Sequence, residues 1–236
     1  MITSISFFLC LFFVMFHKKL AKYLSVYDLP DYSRKLHKKK VALTGGILIF
    51  LNLIIIKIYL FFHIENIQYL SVFENNLDFF IFSLGTTLIF LLGFFDDKYQ
   101  MSANLKFVIM LVISICVIFF GENLLINKIE ITFLNNIFGL SITASILWTM
   151  VCFLLFLNAL NMFDGINYQV TFYSIFISLF FILNNYFINL FIPLLISLIF
   201  FTYLNHKNKA FLGDSGSYLL AFLFSYFFIK FYNQTS

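Results

Sequence analysis

Charge is scarce in this chain. Asp, Glu, Lys and Arg make up 11% of its 236 residues, against about 25% in a typical soluble domain. That shortfall excludes a water-soluble fold. Proline is nearly absent, at two residues, and no linker, internal repeat or second domain divides the chain, which reads as one integral membrane domain over 1–236. Cysteine is limited to Cys10, Cys116 and Cys152, far apart in apolar runs. A disulfide framework or zinc site needs patterned cysteines, so all three read as small lipid- or core-facing hydrophobes. No Walker loop, dinucleotide fingerprint or serine–histidine–acid arrangement is found. Nucleic-acid binding is also excluded, because the basic patch lacks a soluble domain to present it.

What remains is apolar: 62% hydrophobic and 22% aromatic, with 37 phenylalanines. A bilayer crossing takes about 20 mostly apolar residues. Eight stretches qualify, near 2–24, 44–62, 78–95, 105–120, 142–160, 168–184, 187–204 and 217–232. The fold class expected is an all-α polytopic bundle of about eight transmembrane helices. Asn184-Asn185 marks a tight turn, because the apolar run around it is far longer than one crossing. The first stretch has its lysines after the apolar run rather than before it, the reverse of a cleavable signal peptide, and so reads as a retained helix. Lys and Arg concentrate in 17–43, with Lys98 and Lys106 after the third stretch and Lys207 and Lys209 after the seventh. The positive-inside rule then puts 17–43, 96–105, 161–167 and 205–216 in the cytoplasm and both termini outside. Alternation around Asn135-Asn136, within 128–143, predicts a small external β-hairpin.

Four polar clusters fall on that cytoplasmic side. Asp96-Asp97 closes the third helix after Gly93. Adjacent helical carboxylates point about 100° apart, so one can face a metal and the other a substrate proton; hard cations such as Mg²⁺ use one or two carboxylates and leave room for phosphate oxygens. A solvated helix end is the plainer reading. Asn158, Asn161 and Asp164 share a helical face, followed by Gly165, which would allow a sharp turn. The amides suit a sugar, uracil or phosphate, or equally a helix–helix hydrogen bond. Gly213-Asp214-Ser215-Gly216-Ser217 precedes the last helix, where free N–H groups attract phosphate, unless a serine simply caps the helix. Arg34, Lys35, His37 and Lys38–Lys40 before Gly45-Gly46 can bind phosphates or touch anionic lipid. His17, His63 and His206 have no patterned partners and read as incidental.

The ordered segments RKLHKKKVALTGGILIF, GFFDDKYQMSANLKFVI, NALNMFDGIN and AFLGDSGS resemble those of the polyprenyl-phosphate sugar-1-phosphate transferases, a group that includes the N-acetylhexosamine-1-phosphate transferases and phospho-MurNAc-pentapeptide transferase. The resemblance covers about residues 30–225. It implies a helical enzyme of the bacterial plasma membrane with a cytoplasmic cleft. Polyprenyl phosphate would attack the β-phosphate of a UDP-sugar, giving polyprenyl-diphosphate-sugar and UMP and initiating a surface polysaccharide such as O-antigen. Mg²⁺ would be required, with Mn²⁺ as a substitute. Carried over motif by motif, the catalytic carboxylates would be Asp96, Asp97 and Asp164, and Asp96 and Asp214 would hold the metal. Lys35, His37, Asn158, Asn161, Gly213 and Ser215 would contact substrate. DDKYQMSANLKFVI looks more like the N-acetylhexosamine group, favouring UDP-GlcNAc, UDP-GalNAc or a modified relative. A homodimer is compatible with this reading.

Three departures set out an alternative. Asn167 stands where the family often has a second Asp, the basic loop lacks the proline frequently found in the family before Gly45-Gly46, and the family's later histidine-rich loop has no counterpart before Ser236. A truncated or inactive homologue that binds lipid phosphate or a partner without turnover would show these features. An ion-coupled transporter would place its carboxylates near the midplane, whereas these sit at helix ends.

Overall fold

Helices dominate because a chain this apolar must satisfy its backbone internally inside a bilayer. The computed structural model describes residues 1–30, 39–63, 72–121, 123–131 and 136–235. Among these residues the helices are α1 (Ile2–Leu24), α2 (Gly45–His63), α3 (Asn76–Tyr99), α4 (Ala103–Phe120), α5 (Ile142–Phe163), α6 (Gln169–Leu183), α7 (Ile188–His206) and α8 (Gly213–Thr235). Six of them, α1 to α5 and α7, are long and apolar enough to cross a membrane. Helix α6 is apolar but has only 15 residues. The chain is an all-α, multi-pass membrane protein.

Helix α8 sits in the middle. Every residue from Ser215 to Phe227 is buried, and α2, α3 and α5 pack against it. This explains its composition: a helix enclosed by protein needs no lipid-facing surface, so Ser217, Ser225, Tyr226 and Lys230 are tolerated there. The outer helices do the reverse. Phe8 and Phe12 of α1 are 67% and 63% exposed, as lipid-facing side chains should be. Phe181 and Phe191 stack at 4.4 Å between α6 and α7, while Phe153 of α5 meets Phe222 of α8 edge-on at 5.3 Å. The three cysteines are free, as expected.

Polar groups tie the helices at depth. Asn52 of α2 donates 2.7 Å to the Pro193 carbonyl of α7, and Lys57 of α2 donates 3.0 Å to the Ser83 carbonyl of α3. The turn between α6 and α7 occurs at the two asparagines, with Asn185 and Phe187 at positive φ.

The hairpin expected near 128–143 is present: β3 (Lys128–Ile131) pairs antiparallel with β4 (Asn136–Gly139). A second sheet was not legible in the sequence. It joins β1 (Tyr27–Asp28), β2 (Val41–Leu43) and β5 (Ala210–Phe211), with Ala42 opposite Ala210 in a parallel pair. Strands of two or three residues carry no readable period. Helix ends also differ from expectation. Helix α3 runs to Tyr99, α5 to Phe163, and α8 begins at Gly213. Each extends through a polar cluster because those polar groups bond one another and do not need a loop.

At the end of α8 opposite the clusters, Lys230 is fully enclosed. It pairs with Asp78 of α3 and donates 2.7 Å to the Val72 carbonyl, and Tyr226 donates 2.8 Å to the other Asp78 oxygen. Breaking such a pair strands a buried charge. Asp78→Ala should therefore destabilise the protein by about 3–5 kcal/mol, while the paired change Asp78→Leu with Lys230→Met should cost far less. Thermal unfolding in detergent checks both.

Candidate active site

The N-terminus of α8 is where the motifs meet, and the approach is backbone to backbone. A Cβ on Gly93 of α3 would lie 2.5 Å from Ser215 N, and one on Gly46 of α2 would lie 2.8 Å from Gly216 Cα. Only glycine admits both contacts. The sheet adds a pin, with Gly46 N donating 2.9 Å to the Leu212 carbonyl.

Asp97 caps α8 from outside its own helix. Its Oδ1 accepts from Asp214 N at 2.7 Å and its Oδ2 from Ser215 N at 3.1 Å. Two of the four orphan N–H groups at that terminus are thereby satisfied. This corrects the expectation that the N–H groups around Gly213 and Ser215 stand free for phosphate. The hydroxyl of Ser215 is buried against Gly46. Gly213 instead adopts φ +76, a conformation suited to glycine, directly against the Asp97 carboxylate.

Asp96 is 4% exposed and fully engaged. Its Oδ1 accepts from Met101 N at 2.8 Å and its Oδ2 pairs with Lys106 Nζ at 2.6 Å. Lys106 also lies 3.7 Å from Asp214 Oδ2. Lys106 is the residue sequence reasoning missed, counted there only as a topogenic charge. Its spacing of ten from Asp96 carries no helical signal, since the two sit on different helices.

Asn161 reaches the same cluster. Its amide donates 2.9 Å to Asp214 Oδ1 and 2.9 Å to Ser217 Oγ. Asn158 does not join it: its amide turns back to the Leu154 carbonyl at 2.8 Å, replacing the expected substrate contact with a bond inside α5. Lys35 and His37, with Arg34 and Lys38, lie outside the described residues.

Asp164 follows the last residue of α5, and its carboxylate has no hydrogen-bond partner among the described residues. Burial, then the charges of Asp214 and Asp97, push its pKa well above the usual carboxylate range. Gly165 lies in the turn after it, as expected, but the positive φ in this loop belongs to Tyr168, at 72°. His206, read as incidental, accepts or donates to the Tyr168 hydroxyl at 2.8 Å.

The donors available to a cation are hard carboxylate oxygens, which suit Mg²⁺. Asp164 and Asp214 Oδ2 are the least engaged. Among the described residues no three carboxylate, imidazole or thiol groups close into a cage, so an ion here would keep positions for water or phosphate. Among the described residues four carboxylates face one ammonium, a negative surplus that protons or a cation would offset.

Ionised Asp164 therefore opposes folding. Its unfavourable contribution is absent below the ordinary carboxylate pKa of about 4 and grows as pH rises through the raised folded value. Asp164→Asn should raise the melting temperature at neutral pH, and the gain should shrink towards pH 4. Melting curves across that range test the sign.

The sequence pattern of glycosyl transferase family 4 matches residues 79–232. Over 217 residues the chain is 31% identical to the undecaprenyl-phosphate alpha-N-acetylglucosaminyl 1-phosphate transferase of Thermotoga maritima, an alignment covering 92% of this chain and 59% of that protein. Over 154 residues it is 28% identical to the probable undecaprenyl-phosphate N-acetylglucosaminyl 1-phosphate transferase of Bacillus subtilis, covering 64% of this chain and 38% of that one. The matched region contains Asp96, Asp97, Lys106, Asn161, Asp164 and Asp214 together, and the chain belongs to glycosyl transferase family 4.

Proposed function

We propose that this protein transfers N-acetylhexosamine-1-phosphate from a UDP-sugar to polyprenyl phosphate at the cytoplasmic face of the bacterial plasma membrane. The observation that carries the reading is the meeting of Asp96, Asp97, Lys106, Asn161, Asp164 and Asp214 at one end of the bundle. The cluster lies at helix ends, where a lipid-borne phosphate would be presented to it. The names of the two relatives support the lipid and the amino sugar.

In the reaction a phosphate oxygen of the lipid forms a bond to the β-phosphorus of the UDP-sugar. The bond from that phosphorus to the bridging oxygen breaks, and the oxygen leaves as part of UMP. Phosphoryl transfer of this kind depends on positioning and charge neutralisation. Asp164 and Asp214 would hold Mg²⁺, which would neutralise diphosphate charge. Asn161 keeps Asp214 oriented through its 2.9 Å bond. Lys106 pairs with Asp96 and would offset charge beside the diphosphate. Asp97 fixes the first turn of α8 and with it the direction of Asp214. Asp164, without a hydrogen-bond partner among the described residues, has an oxygen free to take a proton or a metal.

A second reading has its own observation. Asn167 is turned towards Asn208, donating 2.8 Å to its side-chain oxygen, rather than towards the carboxylates. A homologue that holds polyprenyl phosphate without turnover would bind the lipid and release no UMP.

Purified protein, polyprenyl phosphate and labelled UDP-GlcNAc or UDP-GalNAc should yield lipid-linked label and UMP, abolished by EDTA. Asp164→Asn and Asp214→Asn should each lower turnover by about 100-fold or more, the scale of losing a key electrostatic contact. No lipid-linked product from any UDP-N-acetylhexosamine, beside a working control enzyme, would refute the proposal.

A further inference from the structure

Asp164 has no side-chain bond among the described residues to hold it beside Asp97 and Asp214. Its own N–H donates 3.1 Å to the Asn161 carbonyl, and beyond it Gly165, Ile166 and Asn167 are exposed. The restraint must come from further along, and it comes at Tyr168. This residue has φ 72°, a conformation L side chains resist, and such a conformation persists only where neighbours over-determine it.

Three bonds hold this loop to the turn after α7. Two are at the surface: Asn167 to Asn208 and the Tyr168 hydroxyl to His206, each 2.8 Å. The third is shielded. Asn205 is 4% exposed, and its Oδ1 accepts from Tyr168 N at 3.1 Å. The other end of the same amide donates 3.2 Å to the Ala210 carbonyl. Ala210 lies in β5, four residues before Asp214, and β5 is in turn paired to β2. One buried amide thus spans the two loops that deliver Asp164 and Asp214.

We infer that Asn205 is a positioning residue: through its bonds to Tyr168 and Ala210 it sets the separation of Asp164 from Asp214. The inference rests on the transferase reading for its effect on rate, but not for its effect on structure. Asn205 touches no reacting atom. A buried amide is needed there because water competes at the two surface bonds, and because only a side chain with both a donor and an acceptor can join two backbones.

The test combines hydrogen exchange with kinetics on the full-length protein in detergent. Asn205→Ala should lose protection at the Tyr168 amide, with segments 215–227 of α8 unchanged. Turnover should fall by about 100-fold, the scale of a 1 Å misplacement, with KM for each substrate nearly unchanged. In an Asp164→Asn background the same substitution should add little, because the carboxylate it positions is already gone. Asn205→Asp keeps the acceptor and should keep Tyr168 protected. Unchanged Tyr168 exchange in a folded Asn205→Ala protein overturns the inference. So does exchange that rises equally through α8, or a rate loss fully additive with Asp164→Asn. Should Asn205→Ala not accumulate, Asn205→Asp decides alone: protection at Tyr168 supports the tether, and its loss overturns it. Absence of turnover in the unmutated protein would defeat the transferase reading, while the exchange result would still decide the role of Asn205.

Discussion

Everything at the polar end of this protein depends on how closely two helices, α2 and α3, can approach the first turn of α8. Gly93 brings α3 against the backbone of Ser215, and Gly46 and Gly216 let α2 and α8 touch without side chains between them. Side chains at Gly93 or Gly46 would push these backbones apart. The Asp97 carboxylate would then no longer reach Asp214 N and Ser215 N, and the turn that aims Asp214 would lose its cap. The close packing is thus what converts scattered acidic residues into a cluster.

That cluster is electrically unbalanced by design of the packing. Lys106 answers Asp96 directly and Asp214 at longer range; Asp97 spends its oxygens on the positive end of the α8 dipole. Asp164 is left over, and burial, followed by the charges of Asp214 and Asp97, raises its pKa. In the proposed reaction, a cation accompanying the diphosphate would offset this negative charge.

The two ends of α8 illustrate different uses of charge. At one end Lys230, Asp78 and Tyr226 form a closed set, buried and mutually satisfied, which fixes the register of α3 against α8. At the other end the same two helices meet through acidic groups that are only partly satisfied. The first arrangement makes the helix pair rigid; the second gains its chemistry from that rigidity.

Hydropathy determined the class of the protein and its helices, because burying an unsatisfied backbone in lipid is so costly that only long apolar helices are allowed. The hairpin at 128–139 and the turn at Asn184-Asn185 were legible for the same local reasons. What tertiary structure alone decided is which group faces which. Asp97 caps a helix that begins 116 residues later at Gly213, Asn158 bonds within its own helix while Asn161 leaves it, and Lys106 answers Asp96 across a helix boundary. The β2–β5 pairing and the Asn205 bridge were equally invisible. Such contacts are set by the distance between backbones packed from distant parts of the chain, and no periodicity along the sequence encodes that distance.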